Sequence, residues 1–364
     1  MDLPYSEQLE MKRKRVLDAL RCVGLEGACE VSPCIASPSP LGYRNKLQFP
    51  ARQGVDGLQL GLYASGSNEL VDIVGCPVHC ELGERVYREV REILKRSGIS
   101  PYDPATGRGE LRHLLIKSAI RRGEVLVVLV TNGEATPLLS TIASDIMRGC
   151  AAVKGVVHNV QRARNNVVLG SEYHVLEGVG FIHEELCGLT FKISPASFFQ
   201  INLFQAEQVY ARALEFAELV GSETVLDAYC GVGTLALVFA GQAGRVMGVE
   251  RVPQAIEDAR ENAQLNGIGN ATFLCAEIGS VVGMLAGVDV VLLNPPRKGC
   301  DEALLEGIGR AGLKRLIYIS CDPESLSRDL AHFCAVGYRL DAIQPFDMFP
   351  QTAHVECVAK LTAV

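Results

Sequence analysis

The sequence predicts a two-part chain: a Rossmann-like α/β domain with a doubly wound parallel sheet in the C-terminal half, and an N-terminal α+β accessory domain. Three observations carry this. From about residue 198, strand-like runs alternate with helical runs, the pattern of a parallel sheet covered on both faces. Between about 40 and 185, short β-rich runs alternate with Gly and polar turns, which reads as a mainly antiparallel sheet. The 364 residues, 48% apolar and 21% charged, suffice for about two domains with cores of their own and exclude disorder over most of the length. The boundary is expected near 185, giving domains at 1–185 and 186–364.

Residues 5–23 read as a helix, with Leu9, Val16, Leu17, Leu20 and Val23 at helical spacing and Gly24 as a stop. Its basic run, Lys12 to Arg15, is either a solvated face or a phosphate contact. In the accessory domain the β-rich runs are LQF, LVDIV, LLIKSAI, EVLVVLV, GVVHNV and NVVLG. Helices are expected at 81–97 and 137–149, and IKSAIRRGEVLVVLV reads as a hairpin turning near Arg122-Gly123. The second half opens with a helix over FFQINLFQAEQVYARALEFAEL. Strands TVLDAYC, RVMGVE, ATFLCA, VDVVLLN and RLIYISC follow, with helices between most of them, and YRLDAIQPF and VECVAKL are the last two strands. There is no internal repeat and no low-complexity segment.

Charge and cysteine content narrow the function classes. The net charge is 35 − 42 = −7, so any contact with nucleic acid must use a local basic patch. Thirteen cysteines, an odd number spread from Cys22 to Cys357, do not form the dense framework of a secreted disulfide scaffold. Met1 to Glu10 lacks the apolar core of a signal peptide, and no apolar run approaches the roughly 20 residues that span a bilayer. A reduced, cytoplasmic protein with no membrane partner is expected. The remaining question is which thiols are chemical and which are small buried hydrophobes.

VLDAYCGVGTLAL is a buried strand, a Gly-bearing turn and the start of a helix. Gly231 and Gly233 would let the backbone approach a ligand, although the third glycine of the dinucleotide fingerprint is Ala236. Glu250 ends the next strand, 23 residues after Asp227, where an acid accepts hydrogen bonds from both ribose hydroxyls. With no basic run nearby for a pyrophosphate, the turn fits S-adenosylmethionine better than a nicotinamide cofactor. The fourth strand ends in Asn294-Pro295-Pro296-Arg297, beside cofactor and substrate by the rule for open α/β sheets. The amide of Asn294 is both donor and acceptor and can read a base edge. N-P-P followed by an aromatic residue is associated with methyl transfer to exocyclic amines, and here Arg297 takes the aromatic's place.

Cys321 ends the fifth strand. Asp322 is a good N-cap and Pro323 suits the first helical position. The helix N-terminus favours thiolate and Asp322 opposes it. His354 and Glu356, two residues apart, are expected on one face of a strand, where either offers a general base. Thiol, carboxylate, base-edge reader and methyl donor are the four parts needed to methylate C5 of uracil: a thiolate adds to C6, C5 becomes nucleophilic, and a base then removes the C5 proton.

DAYCGVGT, NPPRKGCD, YISCDPESLSRDL and FDMFPQTAHVE, with SPASFFQIN at 194–202, resemble the motifs of the bacterial RNA uracil-5-methyltransferase family in order and spacing. The similarity runs the length of the chain. YRNKLQFPA, DIVGCPV and LRHLLIKSA resemble the accessory domain of the 23S ribosomal RNA members. The resemblance implies S-adenosylmethionine as cofactor, Cys321 as nucleophile and Glu356 as base. It also implies Gln200, Tyr229, Gly231, Gly233, Thr234, Glu250 and Asn294 at the cofactor. Asn294, Phe198 and Arg297 fall at the substrate, with Phe199 nearby. The expected partner is RNA, 23S rRNA first and tRNA second, with the protein acting as a monomer.

Three departures accompany the resemblance. The family usually has Asp where this chain has Asn294. The chain starts with what resembles the segment after the family's N-terminal RNA-binding β-barrel. Only Cys76 matches the family's iron–sulfur ligands, and such a cluster needs four thiolates, so neither cluster nor other metal is expected. Phosphate contacts are expected among Lys12 to Arg15, Arg44, Lys46, Arg121, Arg122, Arg162, Arg164, Arg297 and Lys298, making RNA binding strongly salt-dependent. Two other readings use the same residues: an amino-group methyltransferase built on N-P-P, and a non-catalytic RNA-binding protein.

Overall fold

The computed structural model describes residues 3–364 apart from Asp56, Ser65, Asn68 and the side chain of Val281; Met1 and Asp2, at the head of the expected N-terminal domain, lie outside the described residues. The chain forms two compact units, one of Met1–Pro40, Leu186–Phe191 and Ser197–Val364, the other of Leu41–Glu185 and Lys192–Ala196. The expected division at 185 therefore differs at the N-terminus. Helix α1 (Tyr5–Cys22) and strand β1 (Glu30–Val31) belong with the C-terminal half. The reason is burial: Val16, Leu20 and Val31 enter the same apolar core as Leu330 and Phe333.

The second unit holds β2 (Lys46–Gly54), β3 (Gly57–Tyr63), β4 (Leu70–Asp72), α2 (Glu81–Ser97), β5 (Leu111–Ala119), β6 (Glu124–Thr131), α3 (Pro137–Gly149), β7 (Val153–Val160) and β8 (Glu172–Gly178). Its seven-stranded sheet runs β4-β3-β2-β5-β6-β7-β8. Only β6 and β7 are parallel, because α3 carries the chain between them. The predicted hairpin is present: Ala119 faces Glu124, and Gly123 takes the positive φ its turn requires. Tyr87, Val90 and Leu94 of α2 and Leu139 and Ile146 of α3 fill a core with Leu114 and Ile116. NVVLG, expected as a strand, is none. The Asn159 amide takes the pairing role instead, accepting the Gly170 N–H at 2.8 Å and donating to the Gly170 carbonyl at 3.0 Å. The Cys80 sulfur caps α2, accepting from Gly83 N–H.

The chain continues through β9 (Ile182–Leu186) and β10 (Leu189–Ile193), then α4 (Leu203–Ala217), β11 (Thr224–Asp227), α5 (Thr234–Ala240), β12 (Arg245–Glu250), α6 (Pro253–Leu265) and β13 (Ala271–Cys275). After a 3-10 segment at Ile278–Leu285 come β14 (Val290–Leu293), α7 (Glu302–Ala311), β15 (Arg315–Ser320), α8 (Pro323–Ala335), β16 (Tyr338–Phe346) and β17 (Glu356–Ala363). Helix α4 starts five residues later than the sequence pattern suggests. The Asn202 side chain accepts from Gln205 N–H and sets the start, so Phe198 to Ile201 stay outside the helix.

The sheet of this first unit runs β1-β16-β17-β15-β14-β11-β12-β13. β13, β12, β11, β14 and β15 are mutually parallel, and β17 inserts antiparallel between β15 and β16. The strand order reverses at β11, which has β12 on one side and β14 on the other. In such sheets a crevice opens at the carboxyl ends of the strands at this point.

Candidate active site

A cavity of about 830 Å³ occupies that crevice, within the usual range for a small-molecule site. At one end it is lined by the β11 turn and the tip of β12. Gly231 has φ 53°, and a side chain there would meet nothing within 4 Å, so its backbone faces open space. Gly233 has a different reason. A Cβ there would lie 3.1 Å from the Phe273 ring and 3.2 Å from Ala259, and Gly233 does not line the cavity. Its φ of 82° and its packing on β13 and α6 both call for glycine.

Asp227 ends β11 fully buried. One carboxylate oxygen accepts Tyr229 N–H at 3.3 Å, and the other has no partner among the described residues. Burial, helped by the nearby Glu250 charge, raises its pKa to about 7. Glu250 accepts Val252 N–H at 3.0 Å with one oxygen, and its side chain lines the cavity. The buried phenol of Tyr210 bonds Thr234 at 2.9 Å and also Gln200, tying α4 to the turn. An unpaired oxygen on a buried carboxylate, a second acid and an open glycine backbone fit a nucleoside that carries positive charge.

At the other end lie Asn294, Arg297, Cys321, Glu356, Phe198 and Phe349. Sheet register explains the pairing of thiol and carboxylate. Ser320 of β15 faces Cys357 of β17, so Cys321 and Glu356 are the next residues along their two antiparallel strands. Inserting β17 beside β15 thus brings the start of one strand to the end of the other. Arg297 lines the same cavity as Cys321, and its positive charge favours the thiolate. Burial pushes the Cys321 thiol up and the Glu356 charge adds to this, while Arg297 opposes both. Glu356 is fully enclosed, and burial lifts it to about 8 against the pull of Arg297. The helix N-terminus at Asp322–Pro323 is present, but burial outweighs it.

Of the predicted residues, Gln200, Tyr229, Gly231, Thr234, Glu250, Asn294, Phe198, Arg297, Cys321 and Glu356 all line this one cavity. Phe198 is 69% exposed at its mouth, whereas Phe199 is a core residue packed near Phe191. His354 does not share a strand with Glu356. It precedes β17, outside the cavity, with its ring against Phe349. Asp227 and Tyr210 escaped the sequence reading as functional residues. A strand-end Asp before a glycine turn could have signalled the first, and nothing local signals the second.

The basic run of α1 is not mainly a phosphate surface. Lys12 is buried in an ion pair with Asp347 and donates to the Phe349 carbonyl at 3.1 Å. Arg13 bonds the Val31 carbonyl. Arg15 holds Glu324 at 3.0 Å and the Ala353 carbonyl at 3.0 Å, and Gln8 bonds Gln351 at 3.0 Å. Gln8, Lys12 and Arg15 therefore strap the segment that leads into Glu356. In the other unit Arg122 is paired with Glu185 and Arg162 with Glu172. Among the described residues no three His, Cys, Asp or Glu side chains gather as a metal site, and no helix is long and apolar enough to cross a membrane.

The parallel sheet, its switch point and the acid-lined crevice define an S-adenosylmethionine-dependent methyltransferase. A family model described as a methyltransferase domain matches residues 219–340. A protein of Halalkalibacterium halodurans named as an uncharacterized RNA methyltransferase is 42% identical over 99% of this chain and 79% of its own length. One of Bacillus cereus is 39% identical over all of this chain and 80% of its own. The crystal structure of the Pyrococcus abyssi tRNA (uracil-54, C5)-methyltransferase with S-adenosyl-L-homocysteine superposes with a TM-score of 0.81, at 30% identity, covering 99% of this chain and 84% of that one. The chain belongs to the RNA methyltransferase family.

Proposed function

We propose that the protein methylates C5 of a uracil in RNA through a covalent adduct with Cys321. The observation that supports this best is the β15–β17 register, which sets Cys321 against Glu356 in one cavity with Arg297 and with the acids proposed for the cofactor. Asp227 and Glu250 would hold S-adenosylmethionine, which when bound supplies an electrophilic methyl group. Cys321, as thiolate, adds to C6. The C–S bond forms as the C5–C6 double bond opens toward O4, and C5 becomes the nucleophile. Once C5 has taken the methyl group, whose bond to the cofactor sulfur would break to leave S-adenosylhomocysteine, the Glu356 carboxylate takes the C5 proton. The released electron pair restores the double bond and expels Cys321 as thiolate. A carboxylate with a pKa near 8 is a stronger base than an ordinary one, provided it has lost its own proton. Asn294 would accept from uracil N3–H and donate to O4, and Phe198 offers a ring to the base.

Such a base has to be turned out of its stack, so the target is a loop nucleotide. We place 23S ribosomal RNA first, because the second unit carries segments that resemble the accessory domain of that branch. A tRNA substrate is the second reading, favoured by the tRNA that the Pyrococcus abyssi enzyme methylates. The enzyme is taken to act as a monomer in the cytoplasm. Glu356→Gln, incubated with S-adenosylmethionine and each RNA, should accumulate a protein–RNA complex that survives denaturing electrophoresis. A folded, RNA-binding variant that forms no such complex would overturn the mechanism. Full activity of Cys321→Ala would point instead to amino-group methylation.

A further inference from the structure

Arg297 lies in a loop between β14 and α7, whose far end is tied by the Asp301 N–H to the Tyr229 hydroxyl at 3.3 Å. The grip on the backbone next to Arg297 comes from α8. The Asp329 carboxylate, completely buried, accepts Cys300 N–H at 2.8 Å and the Tyr318 hydroxyl at 2.6 Å on one oxygen. Its other oxygen accepts two bonds from Arg328, at 2.7 and 2.9 Å. Arg328 in turn donates to the Lys298 carbonyl at 2.8 Å. The loop is thus held on both sides of Gly299. That glycine has φ 87°, and a Cβ on it would fall 2.2 Å from Arg328 Nη2 and 2.6 Å from Asp329 Oδ2. Gly299 N–H closes a turn on the Pro296 carbonyl at 2.9 Å, so Arg297 and Lys298 are its two corner residues.

Every donor reaching Asp329 comes from an element that builds the thiol end. Tyr318 is on β15, three residues before Cys321, and Cys300 is in the Arg297 loop. Asp329 lies on α8, whose first residues follow Cys321 directly. We propose that Asp329 is a positioning residue, which fixes the 298–300 backbone to α8 so that the Arg297 guanidinium meets the Cys321 sulfur. The inference rests on the reading of Cys321 as nucleophile and Arg297 as its cation. The groups that face Cys321 are Arg297 from the loop and Glu356 and Cys357 from β17, with Asp322 beside it in the chain. Arg297 is the one cation among these groups, so freeing the loop removes the positive charge that favours thiolate.

The test is the pH profile of Cys321 alkylation by iodoacetamide, read by peptide mass spectrometry on the full chain without RNA. Arg297→Gln should move the midpoint up by about one pH unit, equivalent to a tenfold loss of thiolate at a fixed pH. Asp329→Asn should move it in the same direction by a similar amount. The double variant should shift no further than Arg297→Gln alone, because both act through one contact. Tyr318→Phe removes one donor, keeps the fold's packing and should give a smaller shift of the same sign; it decides the matter if Asp329→Asn does not fold. A shift with Arg297→Gln but none with Asp329→Asn or Tyr318→Phe, or an additive double variant, overturns the clamp. No shift with Arg297→Gln overturns the underlying reading of Arg297 instead, and the clamp with it.

Discussion

At the cofactor end of the cavity, Asp227 is buried beside a second acid and nothing cationic relieves it; at the thiol end, Cys321 and Glu356 are buried beside each other with Arg297 against them. Burial opposes ionisation at both ends, and at the thiol end Arg297 works against it. The contrast is one of ligand charge. On the proposed reading the cofactor would bring a positive charge to Asp227, whereas uracil is neutral and the charge that develops on it must be met by the protein. Separate variants should therefore break the two ends independently.

The largest effect belongs to the thiol end. Cys321→Ala should abolish methyl transfer, by a factor on the order of 10⁶ as for other lost nucleophiles. Calorimetry with S-adenosylhomocysteine should meanwhile find its affinity unchanged within about twofold. A parallel loss of affinity would mean that the two ends are not separable.

Next comes the cofactor end. Asp227→Asn should weaken cofactor binding by about 10- to 100-fold, the worth of a hydrogen bond to a charged group. In the natural protein a cationic ligand favours ionised Asp227, so affinity should climb as pH rises through about 7 and level off above it. The variant should lose that climb and leave Cys321 alkylation untouched. A retained pH dependence would move the effect to another group.

Both ends also act on stability, with a sign set by burial. Asp227 near 7 and Glu356 near 8 keep a proton in the folded chain that the unfolded chain has already lost above about 4. Their contribution is therefore fully present below about 4 and is lost as pH rises to 7 and 8. Denaturant midpoints of the ligand-free protein should fall across this window, and Asp227→Asn with Glu356→Gln should flatten the fall. Added S-adenosylmethionine, which carries the sulfonium charge, should restore stability more at pH 8 than at pH 5.

How much of this was legible in the sequence follows from how local each feature is. The Asp322 cap with Pro323, the 119–124 hairpin and helices α2 and α3 are dictated within a few residues, and the sequence pattern places them correctly. The glycine turn was legible as a turn, but the need for Gly233 was not, because it depends on Phe273 arriving from another strand. The start of α4 was misjudged because apolar periodicity in FFQIN runs straight through the Asn202 cap. The meeting of Cys321 and Glu356 could be read only through the family resemblance, since it requires β17 to insert between β15 and β16. Lys12 and Asp347 lie 335 residues apart, so no spacing rule could turn a basic helical run into an internal strap.

That strap frames the smallest and most discriminating prediction. Lys14 is exposed beside Arg15, yet the two should behave differently toward RNA. The Lys14 side chain is exposed, so its ammonium can meet a phosphate. Lys14→Ala should therefore weaken RNA binding less than tenfold and lower the slope of log affinity against log salt by about 1. Arg15 is already engaged by Glu324 and the Ala353 carbonyl at the thiol end. Arg15→Ala should leave the salt slope alone and lower turnover a few-fold at most, since a half-exposed ion pair contributes little. Filter binding over a salt series, beside single-turnover methylation, measures both. Equal losses of slope in the two variants would return the helix to the RNA surface and remove the strap from the account of how Glu356 is held.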